Sequence, residues 1–426
     1  MNHIAFVIPG LDQIGGAERQ ILDLAEGLAA RGWRISVIAL SGDGRAGAER
    51  LRNAQISFQS LAMRKGLADP RGWLRIHRCI QHLQPDVIHA HLPHAAFLAR
   101  WSRLLAPSRV LIDTVHTSAT GGFGRQLGYR LTKWLPDRVT IVGRDAARNW
   151  IDRGLVKPGA TVVIPNGIAT AHWKPDAETR AAVRAQLGLT GQFVWLSAGR
   201  LEPVKNHRVL LEAMPLLPPS AHLLIAGTGS LQTQLRRQAS SLGLEDRTRF
   251  LGFVPDLLPY LQAADGVALA SRWEGLPIAL LEAAACALPA VATRVPGSRE
   301  AILPGQTGYL CSPGDPAELA TAMQRVMQMP PEERRAMGDR AQQRVIAHFN
   351  IESLLDRWEK LYTELLADRP LPMRWARCGQ ASRRSAPVES ASCGVRAAAE
   401  SPPAPALPPS NQGGVRSTPA PPARTM

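Results

Sequence analysis

Near the start of the chain, His3-Ile4-Ala5-Phe6-Val7-Ile8 is a short apolar run that predicts a buried strand. A loop follows that holds Gly15-Gly16-Ala17-Glu18, and a helical pattern then runs from Glu18 to Arg31. Adjacent glycines before a helix let the backbone approach a ligand at the helix N-terminus. The same order of strand, loop and helix recurs along the chain. Such alternation predicts parallel sheets with crossover helices, an α/β fold.

The alternation falls into two series. Further apolar or β-branched runs lie at 35–40, 86–90, 110–115, 139–142 and 161–164, and, after a polar and irregular stretch, at 193–198, 222–226, 248–251, 266–270 and 290–292. We therefore predict two Rossmann-like domains facing each other across a cleft: 1–170, a linker at 171–192, and 193–349. A helical segment at 350–368 and a disordered Pro/Ala/Arg-rich tail at 369–426 complete the prediction.

Composition limits the classes of protein that fit. The 426 residues are 45% hydrophobic, yet no apolar run approaches the roughly 20 residues that cross a bilayer. The opening lacks a signal peptide's basic segment, and the five cysteines show no C-x-x-C spacing, so we expect a cytoplasmic protein without disulfides or zinc. The formal net charge is +15, of which the tail carries +6. This charge favours anionic partners, although no motif supports nucleic-acid binding.

The stretch Glu274-Gly275-Leu276-Pro277-Ile278-Ala279-Leu280-Leu281-Glu282 places a carboxylate on each side of a turn that opens a helix. A helix N-terminus attracts phosphate through its unpaired N–H groups. Carboxylates repel phosphate but accept hydrogen bonds from sugar hydroxyls. The pattern thus indicates a nucleotide-sugar site, and the alternative is a capped surface helix that happens to end in glutamates.

Two cations support the first interpretation. Arg200 and Lys205 follow the first strand of the second series, where they could neutralise a leaving diphosphate without a metal. No D-x-D pair occurs anywhere in the chain, which favours metal independence. His89 and His91 resemble a metal pair but lack nearby partners, and His116 ends a predicted strand as a substrate contact or an ordinary loop histidine.

The one G-x-G-x-x-G run, at 42–47, follows the second strand rather than the first. Because a dinucleotide-binding fingerprint belongs after the first strand, NAD is not an expected cofactor, and no other cofactor is expected.

Taken together, these motifs resemble those of the retaining family 4 glycosyltransferases of GT-B fold, over about residues 1–366. The elements that carry the resemblance, in the family's order, are Gly15-Gly16-Ala17-Glu18, Pro85-Asp86-Val87-Ile88-His89-Ala90-His91, Pro165-Asn166-Gly167-Ile168, Gly199-Arg200-Leu201 with Lys205-Asn206-His207, and Glu274 to Glu282.

The resemblance implies a role for each matching residue. Arg200 and Lys205 would bind the donor diphosphate, Glu282 the ribose, and Glu274 the donor sugar. His116 would line the pocket of the reacting sugar. The remaining donor-binding positions would act through their backbone; they are Gly15, Gly16, Gly199, Val254, Gly275, Leu276, Pro277 and Ile278. The final helix would cross back to the first domain.

The expected activity is transfer of a hexose, with retention, from a UDP- or GDP-sugar to a saccharide or lipid-linked acceptor in cell-surface polysaccharide or glycolipid synthesis. The alternatives are a nucleotide-sugar epimerase of the same fold and a non-catalytic nucleotide-sugar-binding protein. A basic and aromatic segment indicates contact with an anionic membrane surface, the alternative being a solvated helix with Trp134 in the core. Its members are Arg125, Tyr129, Arg130, Lys133 and Trp134.

Overall fold

A computed structural model describes residues 1–12, 14–63, 70–105 and 108–369. The predicted disordered tail lies outside these residues, apart from Arg369. The described chain forms two parallel sheets, which confirms the α/β class with two Rossmann-like halves. The strands of the first sheet are β1 (His3–Ile8), β2 (Arg34–Ala39), β3 (Ser57–Ser60), β4 (Val87–His91), β5 (Val110–Val115), β6 (Arg138–Ile141) and β7 (Thr161–Val163).

The second sheet repeats the topology of the first. Its strands are β8 (Phe193–Ala198), β9 (Ala221–Ala226), β10 (Thr248–Gly252), β11 (Gly266–Leu269), β12 (Ala290–Thr293) and β13 (Gly308–Cys311). The orders are β3-β2-β1-β4-β5-β6-β7 and β10-β9-β8-β11-β12-β13, with every pair parallel. The strand order reverses beside β1 in one sheet and beside β8 in the other. Ligands of open α/β sheets bind at such points, beyond the carboxyl ends of the strands.

Helices connect the strands. Those of the first half are α1 (Gly16–Ala30), α2 (Arg45–Asn53), α3 (Pro70–Leu83), α4 (Pro93–Leu105), α5 (Phe123–Thr132) and α6 (Arg144–Asp152). Those that follow are α7 (Ala177–Gln186), α8 (His207–Ala213), α9 (Gln232–Ser241), α10 (Leu258–Ala263), α11 (Ile278–Ala285), α12 (Pro296–Ala301), α13 (Pro316–Gln328), α14 (Pro331–Phe349) and α15 (Ile351–Ala367). None of the helices in the described ranges is long and apolar enough to cross a membrane.

Apolar side chains bury both faces of each sheet. In β1, Ile4 and Phe6 belong to one buried cluster, whereas Ala5 and Val7 belong to the cluster on the opposite face. This alternation is the two-residue period of a strand with helices on both sides. It explains why β1 has no polar position after His3.

The last helix returns to the first sheet. Ile168 pairs with the chain between α14 and α15, its N–H donating to Phe349 O at 2.9 Å and its carbonyl accepting from Ile351 N at 2.9 Å. Beyond this crossing, Trp358 and Tyr362 of α15 are buried in the same cluster as Ile4 and Phe6. The chain crosses between the two halves at Ile168 and again between α14 and α15, and these two crossing segments therefore lie side by side.

Three elements differ from the sequence-based expectation. Helix α7 lies inside the stretch predicted to be irregular, where Asp176 caps its start and Arg180 and Arg184 hold Asp265 on the second sheet. The edge strands β3 and β13 were not predicted. The domain boundaries themselves stay predictions.

Candidate active site

Glu274 lies at the turn between β11 and α11, largely buried. Its Oε1 accepts hydrogen bonds from Lys205 Nζ and from the Ser271 hydroxyl, each at 2.6 Å. Pro277 precedes the helix in an extended conformation, and no side chain caps the first turn of α11. The first N–H groups of the helix are thus left for a ligand. Lys205 and Glu274, two predicted site residues that lie 69 positions apart in the sequence, thus form one ion pair in the structure.

The loop after β8 supplies the second cation. The Arg200 side chain is exposed and, within the described ranges, makes no hydrogen bond or ion pair, whereas its backbone carbonyl accepts the Glu202 N–H at 2.8 Å. Gly199, next to it, packs against the Lys205 side chain, and a Cβ at Gly227 of the neighbouring loop would overlap the Gly199 carbonyl oxygen. This close approach requires glycine at 227 and packs the two strand-end loops together.

The first domain contributes a second helix N-terminus. Helix α1 begins at Gly16, and the Glu18 carboxylate accepts the Gly15 N–H at 3.1 Å. A Cβ placed on Gly16 would lie 3.6 Å from Cδ1 of Ile278, the first residue of α11. The starts of α1 and α11 therefore face each other, and the positive ends of two helix dipoles meet at one place.

His116 stands at the end of β5, against the glutamate turn. Its Nε2 is 3.0 Å from Nδ1 of the buried His91, and burial lowers the pKa of His116 to about 4, so the ring is neutral at pH 7. A Cβ at Gly275 would overlap the His116 carbonyl oxygen, so glycine is needed where the turn meets the first domain. Asn166 holds the same turn, its Nδ2 donating to Leu276 O at 2.9 Å.

Glu282 is the most buried of the charged residues predicted for the site, with 3% of its surface exposed. Burial raises its pKa to about 7, against the opposing effect of Arg19. Arg19 Nη1 donates to Glu282 Oε1 at 2.7 Å, across the two domains. Sequence reasoning missed Arg19, as well as Ser271, because no local pattern links either residue to its glutamate.

The histidine pair of β4 has structural partners. His89 uses both ring nitrogens, Nδ1 with Tyr362 Oη at 2.8 Å and Nε2 with Thr114 Oγ1 at 2.6 Å. Its ring lies against that of His91 in a tilted arrangement, with centroids 4.0 Å apart. No cluster of three or more potential metal ligands occurs in the parts of the chain that are described. His89 thus joins the sheet to α15.

The remaining predicted residues are Val254, which lies in a loop, and the basic and aromatic segment, which lies at the surface. Val254 follows β10 and packs, partly buried, against the second sheet's core. In the basic segment, Trp134 is 59% exposed, so the alternative that places it in the core is wrong. Tyr129 is buried beside Phe97 and Trp150 and does not belong to the exposed face. Phe123, at 77% exposed, extends that face instead.

Two Rossmann-like sheets whose strand-end loops gather cations, carboxylates and helix N-termini define the GT-B class of nucleotide-sugar enzymes. Residues 14–172 match the family described as glycosyltransferase family 4, and residues 179–344 match the glycosyl transferases of group 1. The chain belongs to this family of glycosyltransferases and uses a nucleotide-sugar donor.

Individual relatives agree with this assignment. A glycogen synthase of Mycobacterium tuberculosis is 32% identical over 300 residues, 66% of this chain and 69% of the relative. A phosphatidyl-myo-inositol mannosyltransferase of Mycobacterium leprae is 30% identical over 335 residues, 75% of this chain and 86% of the relative. The crystal structure of Anabaena HepE with UDP-glucose superposes with a TM-score of 0.76 at 23% identity, covering 85% of this chain and 99% of HepE, and supports the fold.

Proposed function

We propose that this glycosyltransferase moves a hexose, with retention of configuration, from a UDP- or GDP-sugar to a saccharide or lipid-linked acceptor in cell-surface polysaccharide or glycolipid synthesis. The observation that carries the proposal is the Lys205–Glu274 pair at the uncapped start of α11, with the Arg200 side chain close by along the same loop and without a hydrogen bond or ion pair in the described ranges. Among structural relatives, HepE binds UDP and UDP-glucose, which favours a uridine donor.

The diphosphate would lie between the two facing helix starts. Both present unpaired N–H groups and positive dipole ends, and the absence of a side chain at Gly16 lets an anion approach the backbone there. Arg200 and Lys205 would then stabilise the charge that develops on the departing diphosphate, a task for which fixed cations suffice. We therefore propose that transfer needs no divalent metal and survives chelation by EDTA.

The two carboxylates would orient the two sugars of the donor, which are the transferred sugar and the ribose of the nucleotide. Glu274, fixed by Lys205 and Ser271 through Oε1, keeps Oε2 without a protein donor in the described ranges, so this oxygen can accept a donor-sugar hydroxyl. Glu282 would accept the ribose hydroxyls. His116, neutral at pH 7, would contact the reacting sugar from the first domain, and the acceptor hydroxyl would attack on the face that the diphosphate leaves.

Acceptor binding would take place at a membrane. The exposed apolar side chains of Phe123, Leu131 and Trp134 lie close in sequence to the basic Arg130 and Lys133. Aromatic rings beside cations are typical of surfaces that bind anionic lipid headgroups. We propose that this surface, here called the α5 face, holds the enzyme at the cytoplasmic side of the plasma membrane, where a lipid-linked acceptor would be presented.

The nucleotide assignment is tested by thermal unfolding with UDP, GDP, UDP-glucose, GDP-mannose and NAD. A rise in melting temperature with a nucleoside diphosphate, and none with NAD, is expected. Turnover of the stabilising sugar nucleotide without any acceptor to a new epimer would instead identify an epimerase. Binding with neither transfer nor hydrolysis would identify a non-catalytic binder.

The cation role is tested with Lys205→Ala. Loss of leaving-group stabilisation should lower kcat by about 100-fold, because preorganised charge acts mainly on the transition state. Lys157→Ala, which removes an exposed lysine of the first domain, serves as the matched control and should turn over normally. Near-normal kcat for a folded Lys205→Ala protein would contradict the assigned role.

A further inference from the structure

The two halves of the chain also meet where α6 of the first half contacts α12 of the second. Helix α6 begins after Gly143, which has no side chain to cap the first turn. The Asp145 N–H of that turn instead donates to Oε1 of Glu300 in α12, at 3.2 Å. A carboxylate from the second half therefore caps a helix of the first half, and its negative charge favours the positive end of the α6 dipole.

The approach of Glu300 to α6 requires glycine at the helix start. A Cβ at Gly143 would lie 2.5 Å from Glu300 Oε1, so any larger residue would displace the carboxylate. Burial raises the pKa of Glu300, and hydrogen bonds from the backbone of Arg144 and Asp145 oppose this rise. The cost of withdrawing the half-buried carboxylate from water is thus offset by N–H groups of the first half. This compensation exists only while the two halves are in contact.

The turn that carries Glu274 lies directly beside this contact. A Cβ at Gly297, near the start of α12, would overlap the Gly275 carbonyl oxygen, and a Cβ at Gly143 would lie 3.3 Å from the same oxygen. The starts of α6 and α12 therefore enclose this carbonyl group from the two halves of the chain. Because Glu300 links these two helices, the turn has little room to shift while the hydrogen bond to α6 is made.

A second contact joins the same helices but is exposed. Arg299 Nη2 pairs with Asp145 Oδ2 at 2.6 Å, and the Arg299 side chain is 48% exposed. Exposed ion pairs contribute little to stability, because water and salt screen the two charges. We therefore expect the half-buried Glu300, rather than Arg299, to fix α12 against α6.

We propose that Glu300 is a positioning residue for the transfer reaction. By capping α6 across the two halves, it holds the turn that carries Glu274 against the first half, where His116 lies. A donor bound to the second half would meet His116 only in this arrangement, so Glu300 acts without touching the donor or the acceptor. This inference rests on the proposed roles of Glu274 and His116 at the donor sugar.

The first test is hydrogen–deuterium exchange of Glu300→Ala, measured in two segments that lie far apart in the sequence. Loss of a charge-assisted hydrogen bond should speed exchange by about tenfold at the start of α6, residues 143–147. If Glu300 positions the turn, residues 274–278 should exchange faster as well. Loss of one cap should lower the melting temperature by only roughly 2–4 °C, so the variant remains folded. Faster exchange at α6 with an unchanged turn would show a local helix cap and overturn the inference.

Turnover of UDP-glucose gives the second measurement. The proposed donor contacts lie mainly in the second half, so KM for Glu300→Ala should stay within about twofold of the parent. Its kcat should fall by about tenfold, because Glu274 and His116 are no longer held in one geometry. Glu300→Gln keeps an acceptor oxygen for the Asp145 N–H and should retain a kcat near that of the parent. A parent-like kcat in Glu300→Ala would contradict the inference.

The matched control is Arg299→Ala, which removes the exposed ion pair between the same helices and leaves the cap in place. It should match the parent in exchange and in kcat, and a loss equal to that of Glu300→Ala would refute a specific role for Glu300. Glu274→Ala separates this inference from the proposed function. A parent-like kcat in that variant would refute the donor-sugar role of Glu274, whereas the exchange measurement needs no donor and still decides whether Glu300 holds the turn.

Discussion

At the scale of single residues, two glutamates eight positions apart acquire different chemistry from their surroundings. Glu274 is fixed by a lysine and a hydroxyl at the cleft, whereas Glu282 is enclosed and meets one arginine from the other domain. The first arrangement pairs the carboxylate directly with a cation at the cleft. The second removes water from the carboxylate and makes its ionisation costly.

This burial predicts a pH-dependent stability. The pKa of Glu282 is raised to about 7 from 4.5, so between these pH values the folded protein holds a proton that the unfolded chain has released. The residue's contribution to the free energy of unfolding must therefore fall as the pH rises. The glutamine of Glu282→Gln does not titrate. The free energy of unfolding of this variant, relative to that of the parent, should therefore rise by about 3 kcal/mol between pH 4.5 and pH 7. Urea unfolding at pH 5, 6, 7 and 8 measures this, and parallel curves would contradict it.

The sequence predicts where the candidate site residues lie better than it predicts what they contact. Arg200, Lys205 and Glu274 could be picked out because each falls at a strand end, where parallel sheets bind ligands. Arg19 could not, because its partner lies 263 positions away and the pairing exists only once two domains are folded together. Local patterns carry no information on such a contact.

At the scale of elements, the strands and helices with a strong apolar pattern were predicted within a few residues. Helix α7 was missed because none of its residues is buried, so it has no apolar period to detect. The strand β3 reads Ser57-Phe58-Gln59-Ser60, with one apolar side chain on an edge. A strand at the edge of a sheet is stabilised by backbone hydrogen bonds to its neighbouring strand. The sequence contains no pattern that reveals this pairing.

The α5 face yields a prediction about membrane binding. Arg130→Glu combined with Lys133→Glu should weaken binding to vesicles that contain anionic phosphatidylserine by more than about tenfold, because each basic residue contributes about 1 kcal/mol at such a surface. Co-sedimentation with vesicles measures the loss.

The control for this experiment makes the same charge change elsewhere. Arg237→Glu with Arg335→Glu alters two exposed arginines of the second half and should bind vesicles nearly as the parent does. Equal binding by the two double variants would remove the α5 face as the site of contact.

At the scale of the whole molecule, the first sheet depends on a helix from the far end of the described chain. Trp358 is 6% exposed and packs its ring 4.8 Å from that of His89 in β4. Trp358→Ala should lower the free energy of unfolding of the first domain by about 3–5 kcal/mol through the cavity it creates.

The matched control for Trp358→Ala is Trp101→Ala on α4. The Trp101 side chain is 48% exposed, so its removal should lower the free energy of unfolding far less. Chemical denaturation followed by tryptophan fluorescence distinguishes the two variants. Equal midpoints would show that α15 is not needed for the stability of the first sheet.

The return of α15 also sets an order of events during synthesis. The strands of the first sheet leave the ribosome first, but Trp358 and Tyr362, which fill their core, follow only after residues 164–350 have been made. At ordinary rates of elongation this interval is roughly 10–40 s. The second sheet, which has its own core, can therefore fold before the first is complete, and the domain that is translated first is finished last.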